Sequence, residues 1–90
     1  MITVRIPTQL RTLSGGAAEV KVEGTTVSEV LAALDAQHSG FAERLFDESG
    51  ALRRFVNVFV DEEDIRFLQG VDTPLDTGAV VSIVPAVAGG

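Results

Sequence analysis

The residues best suited to take part in a reaction form a short tail at the end of the chain. This tail is small and uncharged, and it consists of Ala86, Val87, Ala88, Gly89 and Gly90. Gly90 would offer a free α-carboxylate on a residue without a Cβ, and glycine lets another chain approach closely. A narrow enzyme channel could admit this tail, which reaches about 15 Å beyond Pro85 when extended. The alternative is a frayed end without function, because chain termini are usually disordered.

Other residues that could carry chemistry have simpler interpretations. His38, the single histidine, follows a predicted helix and is expected to cap it rather than to catalyse or bind a metal. Residues 61–64, a run of four carboxylates, lack the glycine and ligand spacing of a calcium loop, so a solvated turn is expected. Gly15 and Gly16 are not followed by the lysine of a nucleotide-binding loop. We therefore expect no active site and no metal site in the body.

The composition indicates one small globular domain. The chain has 90 residues, of which 46% are hydrophobic and 22% charged, as in ordinary folded proteins. It has no cysteine, which excludes disulfides, thiolate metal sites and a thiol nucleophile. No signal peptide or membrane span is visible, so we expect a cytoplasmic protein that does not act on membranes.

The charge balance is acidic, with 13 acidic residues against 7 basic ones and a net charge of −6. Phosphate backbones repel such a chain, so nucleic acid is not an expected partner. A partner with a basic docking surface would be favoured, mainly through its association rate. Acidity alone is also explained by solubility.

The apolar pattern predicts the elements that position the tail. Alternation predicts strands at residues 2–6, 18–23, 55–60 and 79–84, with a shorter strand at 65–68. A helix is predicted from Thr26, the first residue of a capping box with Glu29, to about His38. One further helical turn is expected at 41–46, and Leu10 and Leu13 are expected to fold back onto the core from the loop at 8–16.

A docking surface is predicted on the sheet face opposite this helix. If Val56, Val58 and Val60 face the helix, the residues that share the open face are Phe55, Phe59, Val80 and Val84. An exposed apolar patch of this kind usually marks a partner surface. The alternative is that Phe55 is covered by the loop before it.

The order β-β-α-β-β-β, with one well-formed helix, predicts an α+β fold. A mixed sheet of four or five strands packed on one main helix is the β-grasp, or ubiquitin-like, arrangement. The predicted domain covers residues 1–85, and residues 86–90 form the flexible diglycine tail.

The chain resembles the ubiquitin-like sulfur carriers of prokaryotes, which include the small subunit of molybdopterin synthase and the carrier of the thiamine pathway. The matching segments are residues 6–8, 39–45, 54–67 and 76–90, and the combination of the tail with 54–67 is the most specific. Within this family the chain is most similar to the carriers of a cysteine-biosynthesis route. Two features differ from related proteins. The turn at 76–78 has the sequence Asp-Thr-Gly where the family commonly has Asp-Gly-Asp, and the tail lacks the arginines of eukaryotic ubiquitin.

The resemblance implies a carrier that acts as a protein co-substrate and is not an enzyme. A ubiquitin-activating-type enzyme would use ATP to adenylate Gly90, and sulfur would then replace AMP to give a thiocarboxylate. A cysteine synthase holding pyridoxal phosphate would accept the sulfur, and a zinc metalloprotease would release the new cysteine. These enzymes would recognise residues 86–89. The carrier itself would bind no ATP, pyridoxal phosphate or zinc. The alternatives are sulfur transfer in molybdopterin or thiamine synthesis, a binding module with an inert tail, and a protein modifier attached to lysines.

Overall fold

A computed structural model of the chain describes residues 1–53 and 56–85. The helices in these ranges are α1 (Val27–Gln37) and α2 (Phe41–Leu45). The strands are β1 (Ile2–Arg5), β2 (Glu19–Val22), β3 (Val56–Val60), β4 (Glu63–Asp64) and β5 (Val80–Pro85). Short 3₁₀ turns connect them at Thr8–Leu10, Ile65–Phe67 and Gly70–Asp72.

Within the described ranges the strands form one mixed sheet with the order β2-β1-β5-β3-β4. β1 is antiparallel to β2 and parallel to β5, whereas β3 is antiparallel to both β5 and β4. β5 therefore lies in the middle, with Val81 paired to Val4 on one side and to Val60 on the other. This arrangement confirms the predicted α+β, β-grasp fold, a mixed sheet that in the described part has five strands and one main helix.

α1 forms where the capping signal and the apolar stripe coincide. The Thr26 hydroxyl accepts a hydrogen bond from the Glu29 N–H at 3.2 Å, as an N-cap does. The Glu29 carboxylate reaches back to the N–H of Thr25, one residue before the N-cap, so the predicted box is shifted by one position. His38 is the C-cap, and its backbone N–H donates to the carbonyl of Leu34.

The core lies between α1 and one face of the sheet. Side chains at every second strand position point toward the helix and are buried: Ile2, Val4, Ile6, Val20, Val22, Val58, Val60, Val81 and Ile83. The helix contributes the predicted stripe of Val27, Val30, Leu31 and Leu34. Phe41 and Leu45 of α2 are fully buried, which confirms the inward orientation expected of this helical turn. Packing of this face is thus the main favourable contribution to folding.

The prediction for residues 61–68 is wrong in two places. The turn is limited to Asp61 and Glu62, because both adopt positive φ and Glu63 already pairs with Val60. Residues 65–68 are not a strand. The Asp64 carboxylate accepts a hydrogen bond from the N–H of Arg66 at 2.8 Å and caps a 3₁₀ turn there.

Candidate functional site

The predicted docking residues that the structure describes lie on the sheet face opposite α1. Phe59 pairs with Ser82, and Val80 and Val84 lie two residues before and after Ser82 on the same face. Diagonal neighbours of this kind lie within reach of an aromatic side chain. Phe59 and Val80 are half-buried, and Val84 is 44% exposed. The three residues therefore form a small apolar cluster, while the fourth predicted member, Phe55, lies outside the described residues.

Polar side chains surround this apolar cluster. Arg5 pairs with Ser82, and its Nε lies 3.8 Å from the Glu19 carboxylate. On the other side, Arg66 donates to the side-chain oxygen of Asn57 and lies 3.3 Å from the Asp64 carboxylate. An apolar centre with a polar rim is the usual composition of a protein–protein interface.

Sequence reasoning missed the most exposed aromatic residue of the described ranges, Phe67. Its side chain is 85% exposed, and the adjacent Leu68 is 39% exposed. Phe67 is the last residue of the 3₁₀ turn that Asp64 caps and Leu68 follows it, so neither residue continues the sheet as a strand. The Asp64-x-Arg66 hydrogen bond is a short-range capping pattern, and it is the signal that would have found this turn.

The end of β5 marks where the tail leaves the domain. Val84 pairs with Asn57 and Pro85 with Val56, so β5 is held up to its last residue. The residues predicted to carry the chemistry lie outside the described ranges: Ala86, Val87, Ala88, Gly89 and Gly90. The structure therefore describes the root of the tail and the surface around it.

A groove of about 620 Å³ opens beside this root, and we call it the exit groove. Its walls are the last residues of β5, the end of β1 and the loop that follows β1. Arg5 and Arg11 contribute guanidinium groups to it, and Val84 and Pro85 contribute apolar surface. The sequence alone does not predict this groove, because the shape of the groove depends on how the loop after β1 folds.

The loop after β1 has a fixed shape that places Arg11 at the exit groove. Leu10 is buried and Leu13 packs against the core, as expected from the sequence. The buried hydroxyl of Ser14 donates to the carbonyl of Ala17 at 2.8 Å and closes the loop. The Nε of Arg11 donates to the carbonyl of Ile6 at 3.1 Å, which anchors the guanidinium at the end of β1.

The acidic run has structural functions in the described part of the chain. The Asp61 carboxylate accepts a hydrogen bond from the N–H of Val80 at 3.1 Å, and Asp64 caps the following turn. In residues 1–53 and 56–85, no cluster of histidine or carboxylate side chains could hold a metal ion. His38 contacts the ring of Phe41 edge-on, at 6.5 Å between centroids. No helix in the same ranges is long and apolar enough to cross a membrane.

Among the described residues, two carboxylates have a pKa below the usual value, and both accept hydrogen bonds from the backbone. Hydrogen bonds from the N–H and the hydroxyl of Thr25 hold the pKa of Glu29 below its usual value. The hydroxyl of Ser49, at 2.6 Å, is the main cause that lowers the pKa of Asp47. These groups stabilise the start of α1 and the turn after α2.

Comparison with known proteins gives consistent relatives over the whole chain. The sequence profile described as the ThiS family matches residues 4–90. The sulfur carrier protein CysO of Mycobacterium tuberculosis is 48% identical over 91 aligned residues, which cover 99% of this chain and 98% of the relative. The small archaeal modifier protein 3 of Haloferax volcanii is 41% identical over 68 residues, covering 76% of this chain and 73% of the relative.

The solved structures show the same fold in a relative that has a partner. A chain in the crystal structure of the Amycolatopsis orientalis BexX/CysO complex matches this structure with a TM-score of 0.93 and 43% sequence identity. The match covers 100% of both chains.

Proposed function

From the premise that this chain belongs to the ThiS family, we propose that it is a sulfur carrier whose Gly90 becomes a thiocarboxylate and supplies the sulfur for cysteine biosynthesis. The observation that carries the proposal is the 48% identity to CysO over nearly the full length of both chains. The carrier role follows from the family and from the names of the relatives. The conversion of Gly90 to a thiocarboxylate and the use of its sulfur for cysteine go beyond that role, and they are what we propose.

The geometry at the root of the tail supports this role. β5 is paired on both sides, and its pairing with β3 extends to Pro85, so the tail starts from the central strand of the sheet. Beyond it, Ala86, Val87, Ala88 and Gly89 are small residues that a narrow channel can admit, and an activating enzyme would recognise them. The folded body would act as the handle and the tail as the substrate.

The reaction at Gly90 requires activation. The α-carboxyl group is ionised at neutral pH, with a reference pKa of about 3.5, and an anion resists attack by a nucleophile. A carboxylate oxygen of Gly90 would attack the α-phosphorus of ATP, and pyrophosphate would leave. Sulfide, held by the activating enzyme or a sulfur donor, would then attack the carbonyl carbon, and AMP would leave with the C–O bonding pair. The product is a thiocarboxylate, a sulfur nucleophile attached to a protein.

The proposed partners supply every other part of the chemistry. They are an adenylating and sulfur-transferring enzyme of the ubiquitin-activating type, a cysteine synthase that holds pyridoxal phosphate, and a zinc metalloprotease that releases the cysteine. The carrier contributes a docking surface of Phe55, Phe59, Val80 and Val84 and the reactive carboxylate of Gly90. Neither ATP, pyridoxal phosphate nor zinc would bind the carrier itself, and it would not be an enzyme.

The test of this function is reconstitution with the activating enzyme of the same organism, ATP and sulfide. Intact mass spectrometry should show Gly90 gaining the mass that separates sulfur from oxygen. Gly90→Ala should block adenylation, because the added methyl group crowds a channel that fits glycine. If deletion of Gly90 leaves partner function intact, the chain is a binding module and the terminal carboxyl has no role.

The client pathway is decided by competition between synthases. The thiocarboxylate form should transfer sulfur to the cysteine synthase. Transfer only to a molybdopterin or thiazole precursor would replace the cysteine route with one of these two.

A second candidate function is protein modification, which the 41% identity to a small archaeal modifier protein favours. In that case the activated Gly90 would form an isopeptide bond with lysine side chains of other proteins. Tryptic digestion of host extracts followed by mass spectrometry would identify lysines that carry residues 67–90, because Arg66 is the last basic residue of the chain. If no such conjugates are found under conditions where the thiocarboxylate is detected, the protein acts only as a sulfur carrier.

A further inference from the structure

The exit groove differs in charge from the rest of the molecule. The chain has a net charge of −6, yet two arginines, Arg5 and Arg11, and a single carboxylate, Glu19, are the charged residues among the described walls of this groove. Glu19 approaches Arg5 only at 3.8 Å, with both side chains more than half exposed, so the pair contributes little. In the described residues, no carboxylate lies within ion-pair distance of Arg11.

The opposite end of the sheet is acidic. Asp61, Glu63 and Asp76 line a second depression there, and Glu62 lies in the same turn. Because β5 has six residues, the two ends are separated by about 17 Å. The charge therefore runs from negative at the start of β5 to positive at its end, where the tail leaves.

We propose that the exit groove is a docking site for carboxylate side chains of the enzyme that accepts the tail. This inference rests on the proposed function and names the chemistry of the partner at the root of the tail. It reverses the expectation from net charge, which favoured a basic partner surface. An enzyme that presents carboxylates would be repelled by the acidic end of the sheet and attracted by the groove. Encounters in which the tail meets the enzyme first would therefore be favoured.

The arginines can bind carboxylates of a protein, and the open shape of the groove favours a protein surface over a small anion. Their planar guanidinium groups bind carboxylates in a two-point geometry. Arg11 donates from Nε to the carbonyl of Ile6, so its two terminal nitrogens are the donors that remain for a partner. The groove is open and shares Val84 with the apolar cluster around Phe59, so one protein surface can cover both.

The experiment compares charge reversals at matched positions. The full chain carrying Arg5→Glu or Arg11→Glu is mixed with the activating enzyme of the same organism, and the association rate is measured by stopped flow at several salt concentrations. The matched control is Arg44→Glu, an equal charge change at an exposed position of α2 outside the groove. We expect the groove variants to associate about tenfold more slowly at low salt, and this difference to shrink at high salt.

Several outcomes would overturn the proposal. Equal effects of Arg44→Glu and the groove variants would show that only net charge matters, and unchanged rates would remove the site altogether. Chemical-shift changes at Arg5 and Arg11 on titration with AMP or ATP would assign the groove to nucleotide phosphate. Thermal unfolding checks the fold of each variant. If Arg11→Glu does not fold, Arg5→Glu decides alone, because its side chain is 64% exposed.

The failures of the two proposals are distinguishable. A wild-type chain that is adenylated on Gly90, together with groove variants that bind normally, would count only against the groove. A wild-type chain that no activating enzyme adenylates would count against the proposed function and against this inference with it.

Discussion

In residues 1–53 and 56–85, Glu62 has the backbone conformation least suited to its side chain. Its φ is +76°, and Asp61 before it has a φ of +49°. Two left-handed residues in succession form the tight turn that hairpins prefer, a position usually held by Asn-Gly or Asp-Gly. The Asp61 carboxylate offsets part of the cost by accepting the hydrogen bond from Val80. Glu62 is exposed and makes no described side-chain hydrogen bond, so the strain is concentrated there.

We predict that Glu62→Gly stabilises the protein. Glycine adopts positive φ without the steric cost of about 1 kcal/mol that a side chain causes, and this exceeds its entropic disadvantage in a turn. Urea unfolding should show that the free energy of unfolding increases by less than about 1 kcal/mol. Glu62→Gln is the control: it removes the same charge but keeps the strained backbone, so an equal gain would attribute the effect to charge.

Two neighbouring residues of β3 are predicted to have different roles, one in docking and the other in the stability of the fold. Phe59 lies on the open face, whereas Val58 is 1% exposed and faces α1. Phe59→Ala should weaken binding to the activating enzyme with little loss of stability, and Val58→Ala should cost about 2 kcal/mol of stability. Binding and urea unfolding measured on both variants check the pair. Unfolding of Phe59→Ala would mean that Phe59 packs into the fold and does not serve docking.

At the scale of elements, α1 is started by a sequence pattern and completed by a contact that the pattern does not contain. Thr26 caps the helix as predicted, but Glu29 binds Thr25. The next element is fixed in a similar way, because the Asp35 carboxylate near the end of α1 accepts hydrogen bonds from the N–H groups of Gly40 and Ala42 at the start of α2. Both helices therefore depend on carboxylates that hold backbone N–H groups.

The Glu29 contact predicts how stability depends on pH. Its folded-state pKa lies below the usual 4.5, so the folded protein binds this proton less strongly than the unfolded chain does. The stability it contributes is complete above about pH 4.5 and is lost as the pH falls through the folded-state pKa. Urea unfolding between pH 7 and pH 3 should show a smaller decrease for Glu29→Gln than for the wild type. An equally small decrease in the control Glu48→Gln would indicate a general charge effect.

The elements that the sequence predicts are those whose signals are local. Alternating valines identified β3 and β5, and the spacing of Val27, Val30, Leu31 and Leu34 identified α1. A turn was predicted at residues 61–64, but its restriction to Asp61 and Glu62 was not predictable, because glutamate does not normally favour positive φ and no glycine follows Asp61. The exit groove was missed for a different reason: it brings together Arg5, Arg11 and Val84, and only the folded loop after β1 makes them neighbours.

At the scale of the whole molecule, the order of strands determines where stability is concentrated. β1, β5 and β3 are paired on both sides, with β5 in the centre, whereas β2 and β4 are the edges of the described sheet. The edge strand β2 is partly covered, since the Gln37 side chain donates to the carbonyl of Lys21. Charged residues at the edges also discourage pairing with other chains.

This topology predicts the pattern of amide hydrogen exchange. The amides of Val4 and Val81 should exchange slowest, near the rate of global unfolding, and those of Lys21 and Glu63 at the edges should exchange faster. Hydrogen exchange followed by NMR measures each amide separately. Fast exchange at Val81 would contradict the central position of β5.

The parallel alignment of β1 with β5 also has a mechanical consequence. A force that pulls on the C-terminus acts along β5, so the hydrogen bonds to its two neighbours are loaded lengthwise and resist together instead of opening one at a time. A motor that tried to thread the chain from this end would have to break the hydrogen bonds of β5 to β1 and to β3 together before any other strand could follow. The tail through which this chain is proposed to act is thus joined directly to an interior strand of the sheet.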